Sequence, residues 1–163
     1  MQMSKVAPVK RKLRTLFRMQ GGKPVFASLY PEDAMARIEL VRLGLPASTI
    51  ETFSIEFKMT QARVFSILGV SKATAMRKLR EGANLGLKAS ERAVFVAGLV
   101  KTVRAMIPYS RDEEFSASRW IANWLAEPQN ALDGKKPEDF LDTTEGRAII
   151  SRLLSKIETG VYS

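Results

Sequence analysis

Apolar residues recur along this chain mainly three and four positions apart, the interval of amphipathic helices, and nowhere alternate long enough to suggest a sheet. Pro31 with Glu32 and Asp33 predicts a helix start, because Pro fits the first turn and acids favour the positive end of the helix dipole. That helix runs to about Leu43, with Gly44 as its stop and Leu45-Pro46 beyond. Ser48 or Thr49 caps a second helix to about Lys58, expected to bury Ile50, Phe53, Ile55 and Phe57. Ser90-Glu91 opens a long apolar helix to about Met106, ended by Ile107-Pro108-Tyr109, whose Val94, Phe95, Ala97, Leu99, Val100 and Val103 give it more than one buried face. Ser116 or Ser118 caps a further helix through Glu127, with Trp120, Ile121, Trp124 and Leu125 on one side and Pro128 closing it. Pro137 to Leu141 has the form of a single helical turn. Asp142 and Glu145 stand at capping-box spacing ahead of Ile149, Ile150, Leu153, Leu154 and Ile157, a helix that stops at Thr159-Gly160. The pattern predicts an all-α fold.

Charge changes the picture from a plain helical bundle. The net +9 is carried as +7 over residues 1–31, −2 over 32–59, +8 over 60–111 and −4 over 112–163. Residues 1–31 hold no acid, and Gly21-Gly22-Lys23-Pro24 breaks any helix begun at Lys10, so they read as a basic flexible arm with little packing of its own. Residues 32–110 form a helical domain, and the polar run Arg111 to Phe115 marks the boundary with a second one over 111–163. Basic segments release counterions from polyanions, which makes nucleic acid the first partner to consider.

Two absences narrow the chemistry. The chain has no Cys and no His, which removes thiol nucleophiles, thiolate or imidazole metal sites and Ser-His-Asp catalysis. The acid groupings Glu32-Asp33, Asp112-Glu113-Glu114, Glu138-Asp139 and Asp142 with Glu145 read more simply as helix starts or a solvated connection. No catalytic residue, metal or cofactor is therefore assigned. With no apolar run of about 18–20 residues and no secretory signal pattern, the expected location is cytoplasmic.

The most informative stretch is residues 60–80. Thr60 caps a short helix with Val64, Ile67 and Leu68 pointing inward, Gly69 supplies a sharp turn, Val70 plugs the core and Ser71 caps the next helix, held down by Met76 and Leu79. This is a helix-turn-helix pattern, whose second helix enters the major groove. Lys72, Ala73, Thr74 and Arg77 are then the groove-facing residues: Arg77 can bond guanine and the Thr74 methyl can meet a thymine methyl. Gln61, Arg63, Lys78 and Arg80 are placed for phosphates, and Ser71 completes the candidate DNA-contacting set. A helical hairpin with a basic solvated face fits the same residues.

The stretch resembles the helix-turn-helix of Xre-type bacterial regulators at Gln61, Gly69-Val70-Ser71, Thr74 and Arg77. Phe65 stands where that pattern has Ala, and a ring there predicts an opened crossing angle or a pivoted recognition helix. The last third resembles the toxin-binding domain of the Xre/MbcA/ParS antitoxins. Its landmarks are Trp124-Leu125 before Pro128, Leu132-Asp133-Gly134 before Pro137, Leu141-Asp142-Thr143 before Gly146, and a helix ending Ile157-Glu158-Thr159-Gly160-Val161-Tyr162. The resemblance implies an antitoxin that binds and blocks a RES-domain, NAD-consuming toxin and represses its own operon. It places toxin contacts at Arg147, Arg152, Lys156, Glu158, Gly160, Val161, Tyr162 and Ser163. Expected partners are that toxin, operator DNA and a second copy of the chain within a larger complex, since one recognition helix reads too few base pairs alone. A stand-alone regulator whose C-terminal module only dimerises is the alternative.

Overall fold

The computed structural model describes residue 16 and residues 18–107, 115–158 and 160. Among them are a two-strand hairpin, β1 (Met19–Gln20) and β2 (Lys23–Pro24), and seven helices: α1 (Ala34–Leu43), α2 (Thr49–Phe57), α3 (Gln61–Leu68), α4 (Lys72–Glu81), α5 (Leu87–Met106), α6 (Ala117–Ala126) and α7 (Thr144–Glu158). The architecture is helical, and the chain divides into two compact units, residues 1–97 and 98–163, at a point inside α5. None of these helices is long and apolar enough to cross a membrane.

In the first unit, Leu40 of α1, Ile50, Phe53 and Phe57 of α2, Val64, Ile67 and Leu68 of α3, Ala75 of α4 and Ala93 and Val96 of α5 form the core. Asp33 opens α1 by accepting from the N–H groups of Met35 and Ala36, both at 3.1 Å. Gly44 ends it at φ 78°, where a Cβ would collide with the Leu85 carbonyl oxygen. Ile55, expected to be buried, is 66% exposed, because the α2 face that packs is the one carrying Phe53 and Phe57. Helix α5 begins three residues before Ser90. The Ser90 hydroxyl is buried and accepts the Leu45 N–H at 2.9 Å instead of capping its own helix.

The segment before α1 departs from the expected arm. Gly21 and Gly22 both take positive φ (55° and 75°), the requirement of a two-residue hairpin turn, and pair Met19 with Pro24 and Gln20 with Lys23. The strand end is then held on α2: Thr52 Oγ1 donates to the Pro24 carbonyl at 2.9 Å, Ser48 Oγ to that of Gly22 at 3.2 Å, and Lys23 pairs with Glu51 at 3.1 Å. Phe26 sits edge-on to Phe53 (5.3 Å) and Phe57 (5.4 Å), and Leu29 is fully buried. Burial of a Phe and a Leu offsets the entropy of ordering this stretch, each side chain contributing about 1.5–3 kcal/mol.

The second unit packs Leu99, Val100 and Val103 of α5, Ile121, Trp124 and Leu125 of α6, Leu132, Leu141, and Ile150, Leu153 and Leu154 of α7. Ser116 caps α6, its hydroxyl accepting from the Arg119 N–H at 3.3 Å. Trp120 and Trp124 stack at 6.0 Å with 12° between their planes. Asp133 and Gly134, both at positive φ, turn the chain so that Gln129 pairs with Lys135. Residues Pro137–Phe140 form the expected single turn, with the Lys136 N–H on Asp139 Oδ2 at 3.2 Å. Capping of α7 falls one residue later than Asp142: Thr143 Oγ1 accepts the Gly146 N–H at 3.0 Å.

Candidate functional site

The first candidate surface is built on α3 and α4. Thr60 Oγ1 accepts the Arg63 N–H at 3.3 Å, starting α3. Gly69 ends it at φ 66°, with the Gly69 N–H on the Ser66 carbonyl (3.1 Å) and the Val70 N–H on that of Phe65 (2.9 Å), a Schellman turn. A Cβ on Gly69 would strike the Arg92 guanidinium, which lies against the turn from α5. Arg92 is a contributor that local sequence signals did not reveal, since its approach depends on α5 packing back across the motif. Phe65 is accommodated in the core at 6% exposure.

Ser71 then caps α4: its hydroxyl accepts the Thr74 N–H at 3.2 Å and donates to Thr74 Oγ1 at 3.0 Å. Ala75 is buried, Thr74, Lys78 and Leu79 are half-buried, and Lys72, Ala73, Met76, Arg77 and Arg80 are exposed along one stripe. Met76, expected to hold the helix down, is 46% exposed in the middle of that stripe, because Ala75 and Leu79 occupy the inward positions instead. Arg77 forms an ion pair with Glu81 at 3.1 Å one turn on. Lys78 reaches the opposite way and donates to the Asn84 carbonyl at 2.6 Å, tying α4 to the loop behind it. That loop is pinned in turn, with the Leu85 N–H on the Leu45 carbonyl (2.7 Å) and Ala47 N–H on that of Ala83 (2.9 Å). Gln61 and Arg63 lie half-buried on the first turn of α3. An open depression of about 450 Å³, lined in part by Val70, Ser71, Thr74, Leu87 and Lys88, adjoins the start of α4.

The second candidate surface is α7. Arg147 is only 8% exposed; its Nη1 donates to the Leu141 carbonyl at 3.0 Å and its Nη2 to Thr144 Oγ1 at 3.4 Å, so it braces the helix start against the preceding turn. Ala148, Arg152, Ser155 and Lys156 are exposed at helical spacing, with Arg152 3.8 Å from Glu145. Gly160, at φ 65°, is exposed where the helix ends. The Glu158 side chain, Val161, Tyr162 and Ser163 lie outside the described residues, as do Asp112, Glu113 and Glu114. Of the other acid groupings, Asp33 and Asp139 accept backbone N–H groups and so work as helix caps.

A capped helix-turn-helix with a cationic outer stripe, followed by a second small helical module, is the architecture of a two-module helix-turn-helix protein. Residues 36–98 match the antitoxin Xre-like helix-turn-helix domain, and residues 113–160 match the antitoxin Xre/MbcA/ParS C-terminal toxin-binding domain. The chain is 34% identical over 145 residues to the Prs ADP-ribosylating antitoxin of Sphingobium sp., covering 87% of this chain and 91% of that protein. It is 19% identical over 126 residues to the antitoxin Xre of Yersinia enterocolitica, covering 77% and 80%. The chain belongs to the Xre/MbcA/ParS family of antitoxins, with both its helix-turn-helix and its toxin-binding domain.

Proposed function

We propose that this antitoxin neutralises a RES-domain toxin that consumes NAD, by direct binding through α7 and the residues after it, and that it represses its own operon through α4. The observation that carries the first half is the solvent face of α7, where Ala148, Arg152, Ser155 and Lys156 lead to Gly160. An exposed helix face with two cations, continued by an aromatic-containing tail, suits insertion at a cleft that holds an anionic dinucleotide. The name of the Sphingobium relative associates that protein with ADP-ribosylation. ADP-ribosyl transfer draws on NAD, so it belongs to the same chemistry. Inhibition on this reading is by occupancy, without turnover by the antitoxin, and takes place in the cytoplasm.

The DNA-binding half rests on the stripe Lys72, Ala73, Arg77 and Arg80, with Gln61 and Arg63 at the start of α3 for the backbone. Useful specificity needs two such helices, so the repressor acts as a homodimer within the toxin–antitoxin complex. Residues 32–110 carry DNA binding and 111–163 carry toxin binding. The deciding experiment is a pull-down from source-cell lysate with the intact chain and with a chain ending at Thr159. Full-length protein that retains and inhibits one NAD-consuming partner, with the shortened chain releasing it or leaving it active, supports the reading. No retained partner for either chain sinks it in favour of a regulator whose last module only self-associates.

A further inference from the structure

We propose that Met76 is a specificity-determining side chain that reads thymine methyl groups in the major groove. The inference rests on the reading of α4 as the recognition helix. On this ten-residue helix, Lys72, Ala73, Met76, Arg77 and Arg80 form the outward stripe, and Met76 is its one large apolar member. Thr74, whose methyl group the sequence offers for the same contact, is half-buried with its hydroxyl and N–H both engaged by Ser71. Lys78 is turned toward Asn84. Ala73 offers a single short methyl group, so the larger and farther-reaching apolar contact on the outer face belongs to Met76.

Its neighbours define the ligand. Lys72, Arg77 and Arg80 surround Met76 with positive charge, so the surface that covers it is anionic overall while presenting an apolar group at its centre. In the major groove the only apolar group on a base edge is the C5 methyl of thymine. An unbranched thioether adapts its shape to such a group without demanding one fixed geometry. Arg77 is drawn toward Glu81 at 3.1 Å, and Met76 beside it is 46% exposed.

The test uses the full-length protein and a duplex site selected from a randomised pool. Each thymine of that site is replaced in turn by deoxyuridine, which removes only the methyl group, and affinities are measured for the wild type and for M76A and M76L. Deoxyuridine at one or two positions per half-site is expected to weaken the wild type about fourfold, the equivalent of ~0.8 kcal/mol for one buried methyl(ene) group. M76A should bind the thymine and deoxyuridine sites equally, and M76L should keep part of the discrimination. Because Met76 is exposed, both variants are expected to melt at the wild-type temperature. Indifference of the wild type to every deoxyuridine, or undiminished discrimination in M76A, overturns the assignment. Failure of the wild type to enrich any sequence overturns the DNA-binding reading itself, a result distinct from either.

Discussion

A Cβ at position 146 would run into the Phe140 carbonyl oxygen and come within 2.8 Å of Thr143 Oγ1, while the backbone N–H of the same residue donates to that hydroxyl. The Thr143 and Gly146 landmarks are therefore one device: a cap and the space it requires. G146A is expected to destabilise the second unit by about 1–3 kcal/mol through overpacking, and T143A by about 1 kcal/mol through loss of the cap, both read from urea unfolding. Two arginines on the same helix separate stability from recognition. R147A removes a buried guanidinium and leaves the Leu141 carbonyl without that donor, so its melting temperature should fall. R152A, at 68% side-chain exposure, should melt as the wild type does, within about 0.5 kcal/mol, yet capture the toxin more weakly. The sequence marks both residues as cations on a helix. It does not distinguish them, because the fate of Arg147 is decided by a carbonyl in the turn before the helix.

Among elements, the helix ends legible in the sequence are those whose satisfaction is local. Thr60, Ser71 and Ser116 each cap with a hydroxyl that meets an N–H three residues on. Gly44 and Gly69 stop helices through their own backbone conformation. The features that escape a sequence reading are non-local. The start of α5 shifts because Ser90 serves Leu45, 45 residues away, and the segment at residues 19–26 is held by the Ser48 and Thr52 hydroxyls and by Phe53 and Phe57 against Phe26. Met76 departs from its expected place for a different reason: Ala75 and Leu79, one turn apart, take the inward positions, and helical spacing leaves Met76 on the stripe with Lys72, Ala73, Arg77 and Arg80. S90A tests the most consequential of these interactions. It leaves the Leu45 N–H buried without its acceptor, and we expect a loss of about 1–3 kcal/mol in thermal or urea unfolding.

At the scale of the whole molecule, the proposed function gives DNA to the basic stretch over 60–111 and the toxin to the acidic stretch over 112–163. R77A/R80A is expected to weaken DNA binding and leave toxin capture intact, and R152A/K156A to do the reverse. Both are measured on one preparation by gel shift and pull-down. Deletion of residues 1–15 removes Lys5, Lys10, Arg11, Lys12 and Arg14 but spares the packed segment from Arg18 onward. The plot of log affinity against log salt should become shallower by about 0.9 for each phosphate that is no longer neutralised. An unchanged slope would show that these cations do not touch the duplex. The stacked indoles of α6 bring one more consequence. The chain has two tryptophans, Trp120 and Trp124, and both belong to the second unit. Excitation at the red edge of protein absorbance therefore addresses one module of the isolated chain alone, and its emission provides a built-in optical gauge of how that module melts.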